Sequence, residues 1–373
     1  MIEGGSRAVQ GLLTTVILLA LMGVVAGVSA APPGQGWSTL AMHAIHLTLG
    51  AAAFLFAYTL PADGPRRAVP GILVLLFLVL MGMLLSDKFG HSSHAAERWI
   101  RIGEFTLQPS VFLQCFWPLA LASWSAKDPL RLTQPRELTR LMLVFACLVS
   151  PVLLQPDLGS VIILLGITTF TLLFAGVSIQ LLKPIVFLSF LALGFGLLFF
   201  PHVDSRITQF LSGGPGFQVQ RANEAFAFGG FSGLGPGRGM MKNGWVPEGD
   251  TDFILALIAE EWGILGTGFI WILFVALTLF GVMAARRAER RYGALLMAAA
   301  TLVISVQAVL NMAVVTGIAP PKGLPLPFVS RGGTSMLALA ALLGFAVKAA
   351  REARRSKVPV ENLISWTESN APG

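Results

Sequence analysis

The stretch FILALIAEEWGILGTGFIWILFVALTLFGVMAA, residues 253–285, runs into Arg286-Arg287 and decides the class of fold. After Glu261 it carries no charged side chain until Arg286. About 20 apolar residues in a helix cross the roughly 30 Å hydrocarbon core of a bilayer. Further runs of this kind lie at 8–30, 39–60, 69–86, 107–125, 138–154, 157–176, 184–200, 292–317 and 333–350. The run at 138–154 is short and contains Pro151, whereas 253–285 is long. Composition agrees, with 55% hydrophobic and 12% charged residues in 373. A soluble domain carries about a quarter charged residues, so this chain cannot coat a water-facing surface. The expected fold is all-α, a polytopic membrane protein with ten transmembrane helices, read as one membrane unit over 1–373. Arg7 and Val28-Ser29-Ala30-Ala31 resemble a cleaved signal, but the run 8–30 exceeds a signal core and reads as an uncleaved first helix.

Lys and Arg set the direction, because they gather in short cytoplasmic loops. With the N-terminus inside, Arg66, Arg67, Lys127, Arg131, Arg136, Arg140, Lys183, Arg286, Arg287, Arg290 and Arg291 all fall in the cytoplasm. So does a basic tail, 351–373, with Lys348 just before it. Both termini are therefore expected inside. The net charge of +7 reflects this loop bias rather than nucleic-acid binding. Cys115 and Cys147 lie within apolar runs and read as small core residues. Nine cations remain outside: Lys88, Arg98, Arg101, Arg206, Arg221, Arg238, Lys242, Lys322 and Arg331. They fall in loops 87–106, 201–252 and 318–332, the second a long Gly-rich extracytoplasmic loop between helices 7 and 8. Such cations suit an anionic lipid headgroup such as a pyrophosphate; ordinary solvation of a loop accounts for them equally well.

Four segments at this outer edge carry chemistry. Arg98-Trp99-Ile100-Arg101 precedes Gln108-Pro109-Ser110, placing guanidinium groups beside an interfacial ring. Gln155-Pro156-Asp157-Leu158-Gly159-Ser160 is a tight turn whose Asp157 is either a helix N-cap or a site acid. Trp245-Val246-Pro247-Glu248-Gly249-Asp250-Thr251-Asp252 follows Lys242 and enters the eighth run. Asp252 sits where apolar sequence begins, so it is either a helix-capping acid or one whose pKa partial burial raises, fitting it for proton abstraction. Glu260 and Glu261 lie deeper and should face the bundle interior. Finally, the prolines of Pro320-Pro321-Lys322-Gly323-Leu324-Pro325-Leu326-Pro327 exclude continuous helix. Ser330-Arg331-Gly332-Gly333 then offers N–H groups and a cation at a helix start.

Taken together, Gln155-Pro156-Asp157-Leu158-Gly159, Pro247-Glu248-x-x-Thr251-Asp252-Phe253-Ile254, Ala259-Glu260-Glu261-x-Gly263 and Leu326-Pro327-Phe328-x-Ser330-x-Gly332-Gly333 resemble the SEDS family (shape, elongation, division and sporulation) over nearly the whole chain. Lys322-Gly323 is closer to the division members and Leu324-Pro325-Leu326-Pro327 to the elongation members, with the balance leaning to the FtsW branch. The resemblance implies a peptidoglycan glycosyltransferase that polymerises lipid II on the outer face of the cytoplasmic membrane, with Asp252 as the catalytic base. It also implies substrate contacts from Arg98, Trp99, Arg101, Gln108, Ser110, Asp157, Lys242, Glu248, Thr251, Lys322, Ser330 and Arg331. The family's Glu and Lys after Gln-Pro-Ser are here Val111 and Gln114, which removes a charge pair from the central cavity.

Implied partners are lipid II, a class B penicillin-binding protein transpeptidase and other membrane proteins of the wall-synthesis complex. No metal site is expected, since His43 with His46 and His91 with His94 are weak pairs; Mg or Mn at the pyrophosphate is the one cofactor considered. Rival readings are a lipid II flippase, which needs charges lining a path through the membrane, and a non-catalytic scaffold.

Overall fold

The computed structural model describes residues 2–61, 63–85, 99–102, 105–128, 132–155, 157–199, 208, 210, 212, 216–320 and 322–352. Arg98, Lys88, Arg206, His91, His94, Pro156 and the tail from 353 lie outside the described residues. Three helices open the chain: α1 (Ile2–Ser29), α2 (Gly36–Thr59) and α3 (Asp63–Leu85). A hairpin of β1 (Ile100–Ile102) and β2 (Phe105–Leu107) follows, antiparallel, with Ile100 opposite Leu107 and Ile102 opposite Phe105. Next come α4 (Pro109–Lys127), α5 (Pro135–Leu154), α6 (Leu158–Phe174), a 3₁₀ turn (Ile179–Leu182) and α7 (Lys183–Phe199). The last four are α8 (Phe217–Gly229), α9 (Ile254–Arg287), α10 (Arg291–Val315) and α11 (Gly333–Arg351).

Among the described residues eight helical segments are long and apolar enough to cross a membrane, so the chain is a polytopic membrane protein. They are α1, α2, α3, α5, α7 with its preceding turn, α9, α10 and α11. Helix α6 is apolar but only 17 residues long. Helix α5 is longer than its sequence run suggests, beginning at Pro135 and carrying Pro151 inside it. The long loop 201–252 is not all loop, for α8 occupies 217–229. Cys115 is buried as expected, but Cys147 is exposed on α5, so only the former is a core residue.

The centre of the bundle is built on small residues. Helix α10 buries Ala299, Ala300 and Ala308, and α11 buries Ala338 and Ala346. At Gly344 the backbone of α11 meets the Phe54 carbonyl of α2, an approach that small residues permit between helices in lipid.

Helix α9 sets the geometry of everything at the Asp252 end. Its 34 residues would span about 51 Å at 1.5 Å per residue, well beyond a bilayer core. It is broken at Gly263, with φ 64° and ψ −159°. A regular helix would bond the N–H groups of Ile264 and Leu265 to the carbonyls of Glu260 and Glu261. Here the loop after α8 takes both sides of those bonds. Ile264 and Leu265 donate to the carbonyls of Gly230 and Phe231, at 3.0 and 3.2 Å, while Leu234 and Gly235 donate to the carbonyls of Glu260 and Glu261, at 2.9 and 3.0 Å. The loop thus completes a severed helix, and these four polar groups are satisfied, as a membrane setting requires. Gly263 and Gly233 make the insertion feasible, since both have positive φ and each presses its α-carbon against the other segment's backbone.

Gly263→Ala forces a side chain into the left-handed region and into the Phe231 carbonyl. The strain alone should cost about 1–3 kcal/mol, read as a lower unfolding temperature in detergent. Gly268→Ala, on the same helix with open space around it, should not lower that temperature, since a helix interior favours Ala over Gly.

Candidate functional site

The site is assembled on two buried acids. Glu260 and Glu261 are 0% and 2% exposed, just before the break in α9. Residues 237–241 wrap over them and point N–H groups inward. Met240 and Met241 donate to Glu260, with Met240 to Oε1 at 2.7 Å, and Gly237 and Gly239 donate to Glu261 at 3.0 and 3.2 Å. Ser29 at the end of α1 gives Glu261 a further hydroxyl bond. Lys242 closes the clasp: its Nζ lies 3.1 Å from Glu261 Oε1 and donates to the carbonyls of Gly237 and Ser29 at 2.6 and 2.9 Å. A buried charge is tolerated only when its oxygens are satisfied: Glu261 has both an ion pair and N–H donors, and Glu260 is held by main-chain N–H groups. Lys242 was expected at a pyrophosphate, but its ammonium is held within the scaffold.

From this clasp the chain passes through the acidic loop to Asp252. Glu248 adopts φ 54°, uncommon for a residue with a side chain. The turn closes on it, with Thr251 and Phe253 donating main-chain N–H groups to its carbonyl at 3.2 and 3.1 Å. Thr251 Oγ1 also donates to the Glu248 carboxylate at 2.9 Å, so these two predicted contacts form one exposed unit. Asp252 follows, half-buried. Burial pushes its carboxyl up to about 7, Glu248 and Asp250 push the same way, and Lys322 opposes them. The carboxyl is therefore mostly neutral below that pH and charged above it.

The second loop, 320–332, faces the first. The backbone of Gly323 lies against Asp252 Oδ2, leaving no room for a side chain there. Arg331 ion-pairs with Asp250 at 2.5 Å and donates its main-chain N–H to the Asp250 carbonyl. Ser330 is turned inward, accepting the Leu326 N–H at 2.8 Å, and so fastens its own loop. Phe328, with φ 62°, is the second non-glycine residue in left-handed backbone.

Lys322 links this pair of loops to α6. Its side chain crosses the bare α-carbon of Gly159, and its Nζ sits 3.8 Å from Asp157 Oδ1. Asp157 is hydrogen-bonded through both carboxylate oxygens. It caps α6 through the Ser160 N–H at 3.2 Å, and its Oδ2 accepts from Ser160 Oγ at 2.6 Å, Ser110 Oγ at 3.3 Å and Gln108 Nε2 at 3.3 Å. Gln114 continues the network inward, donating to Ser160 Oγ at 3.2 Å and accepting from Gln307 Nε2 at 2.7 Å. Val111 packs against the apolar core. An apolar side chain and a neutral amide thus stand where the charge pair would be. Trp99 and Arg101 are exposed on or beside the hairpin, which is tied to α11 by Thr334 Oγ1 donating to the Thr106 carbonyl at 2.7 Å.

The structure therefore brings together Gln108, Ser110, Asp157, Lys322 and Asp252, with Arg331 alongside through Asp250. Sequence reading missed Asn311, Gln307 and Ser160. The signal for the first two was present: two amides one turn apart in the uncharged run 292–317. Among the described residues no three His, Cys, Asp or Glu side chains group as metal ligands.

Fold and site define a helical, multi-pass membrane protein with a half-buried acid and a facing cation at one end of its bundle. A family model described as a cell cycle protein, covering FtsW, RodA and SpoVE, matches residues 8–355, and the chain belongs to this SEDS family. It is 31% identical over 362 residues to a probable peptidoglycan glycosyltransferase FtsW of Idiomarina loihiensis, spanning 92% of this chain and 87% of that protein. Among solved structures, a chain from a peptidoglycan synthase complex that coordinates polymerization and crosslinking superposes with TM-score 0.74 at 24% identity, covering 93% of this chain and 98% of that one. The rod shape determining protein RodA of Thermus thermophilus gives 0.67 at 22%, covering 93% and 97%. These two likenesses concern the fold.

Removing one member of a buried pair strands the other, at a cost of about 3–5 kcal/mol. Lys242→Met should accordingly destabilise the protein strongly in thermal unfolding. Adding Glu261→Gln should recover part of the loss, because the remaining group is then neutral.

Proposed function

We propose that this protein is a peptidoglycan glycosyltransferase that polymerises lipid II into β-1,4 glycan strands at the outer face of the bacterial cytoplasmic membrane. The observation that carries the reading is the Asp252 carboxyl, half-buried at a loop edge and held up to about 7 against a facing Lys322. That is the range in which a general base serves best. Charged Asp252 takes the proton from the 4-hydroxyl of the acceptor GlcNAc. The freed oxygen attacks the anomeric carbon of the donor sugar, the bond to undecaprenyl pyrophosphate breaks, and its electron pair leaves with the pyrophosphate. Attack from the opposite side inverts the α-linkage to β. Lys322 and Arg101 are proposed to offset charge on the leaving group, the electrostatic role of cations in phosphate sites. Gln108, Ser110 and Asp157 hold Lys322 in place, while Trp99, Glu248 and Thr251 border the sugar.

Ten spans with both termini cytoplasmic are part of this proposal, α4 and α6 completing the set. Its support is the basic cluster at the end of the bundle away from Asp252. There Arg66 stacks on Tyr292 at 4.6 Å, Arg290 pairs with Glu352 at 2.7 Å, and Arg291 donates to the Ala175 carbonyl at 2.8 Å. A flippase reading is less favoured. The polar network that runs inward from Asp157 passes to Gln114 and Gln307, which are neutral and bonded to each other. A class B penicillin-binding protein and other wall-synthesis membrane proteins are proposed as partners, in line with the synthase complex whose fold this chain shares. Any Mg or Mn would come with the substrate pyrophosphate, and no step is assigned to it.

Purified protein given lipid II, with and without its transpeptidase partner, should make long glycans that Asp252→Ala abolishes. The rate should climb about tenfold per pH unit below about 7 and level off above it, as the base loses its proton. Full activity in Asp252→Ala would refute the assignment.

A further inference from the structure

We infer that Asn311 is a positioning residue for the reaction, a single buried amide that fastens the Asp252 loop to the Lys322 loop. Asn311 lies one turn beyond Gln307 on α10 and is 1% exposed. Its Nδ2 donates to two main-chain carbonyls, that of Asp252 at 2.7 Å and that of Leu324. One carbonyl belongs to the residue that takes the proton; the other lies two residues beyond Lys322. The inference rests on the reading of Asp252 as the base.

Polar side chains on the same helix show that this reach is not an automatic result of burial. Thr301 and Thr316 satisfy their hydroxyls on their own helix, donating to the carbonyls of Met297 and Met312 at 2.8 and 2.7 Å. Asn311 instead spends both contacts off the helix. Its Oδ1 is buried without a hydrogen bond among the described residues, so the amide is oriented by its donor side alone. Leaving a buried acceptor unmet costs about 1–3 kcal/mol, a poor choice for simple packing but reasonable for a group that must grip two loops at once. The loops need gripping, because each passes through a non-glycine residue in left-handed backbone, Glu248 and Phe328.

The clamp fixes how closely Lys322 faces the Asp252 carboxyl. Glu248 and Asp250 face that carboxyl from its own loop, and Lys322 faces it from the other. Asp157 holds Lys322 from the α6 side, and Arg331 holds Asp250. Without the clamp Lys322 falls back toward Asp157, the acidic neighbours dominate, and the base needs a higher pH to ionise.

The test is Asn311→Leu, of similar size but with no donor, assayed on lipid II across pH beside wild type and Asp252→Ala. A displacement near 1 Å can cost on the order of 100-fold in rate. The expected result is therefore a kcat lower by about 10- to 100-fold, a KM within about threefold, and a rate–pH midpoint raised by about half a unit or more. Thermal unfolding run alongside reports whether the variant is folded. Should it not fold, Asn311→Ser, which keeps one shorter donor, should show the same upward midpoint shift in smaller measure. An unchanged midpoint in the folded variant overturns the inference, whether or not kcat falls, because loss of packing alone would not move it. Activity in Asp252→Ala would overturn the base assignment instead.

Discussion

A polypeptide in a membrane must satisfy every backbone polar group without help from water, and the break in α9 is where this protein meets that demand. The Gly263 break frees two N–H groups and two carbonyls. The loop after α8 supplies partners to all four. Because those bonds are made by consecutive residues on both segments, the loop is held in register with the helix. The clasp at 237–241 follows, then the acidic loop, then Asp252. A slip of one residue at the break would displace the whole series, so the position of the carboxyl is inherited from main-chain bonding about two turns away.

Charge is handled by the same logic of enclosed pairing. Glu261 takes the Lys242 ammonium and Glu260 takes main-chain N–H donors, and the two form structure rather than chemistry. Asp157 is bonded from several sides. Asp252 differs in being half-buried beside Glu248 and Asp250, with Lys322 as the opposing cation, and it is drawn toward neutrality. A scaffold rich in satisfied charges thus holds one that is poised. The amides Gln114 and Gln307 extend this polar seam without adding charge, so the absence of the family's Glu and Lys leaves the interior network bonded.

Much of this was legible in the sequence. The apolar runs gave the helices because span length and composition are local properties, and the motifs at Asp157 and Asp252 gave the acids for the same reason. What stayed hidden depended on distant partners. Nothing near Lys242 says that its charge belongs to Glu261, since the pairing needs the loop folded back on α9. Glu260-Glu261-Trp262-Gly263 reads as helix, and only the loop at 230–235 makes a break there worth its strain. Helix α8 was obscured by the glycines around it. Asn311 looked like an ordinary polar residue in a membrane run, because its contacts, Asp252 and Leu324, come from two separate loops. The division of labour among the outer cations likewise follows from folding, which commits Lys242 and Arg331 to carboxylates and leaves Lys322 between two.

The central claim is that the fold holds Asp252 as a carboxyl that ionises near neutrality, and infrared difference spectroscopy of the purified protein in detergent reads it most directly. The account predicts a protonated-carboxyl band that disappears with a midpoint near pH 7, is missing in Asp252→Asn, and shifts to higher pH in Lys322→Gln. A spectrum in which no such band titrates above about pH 5, close to the ordinary carboxylate range, would contradict it.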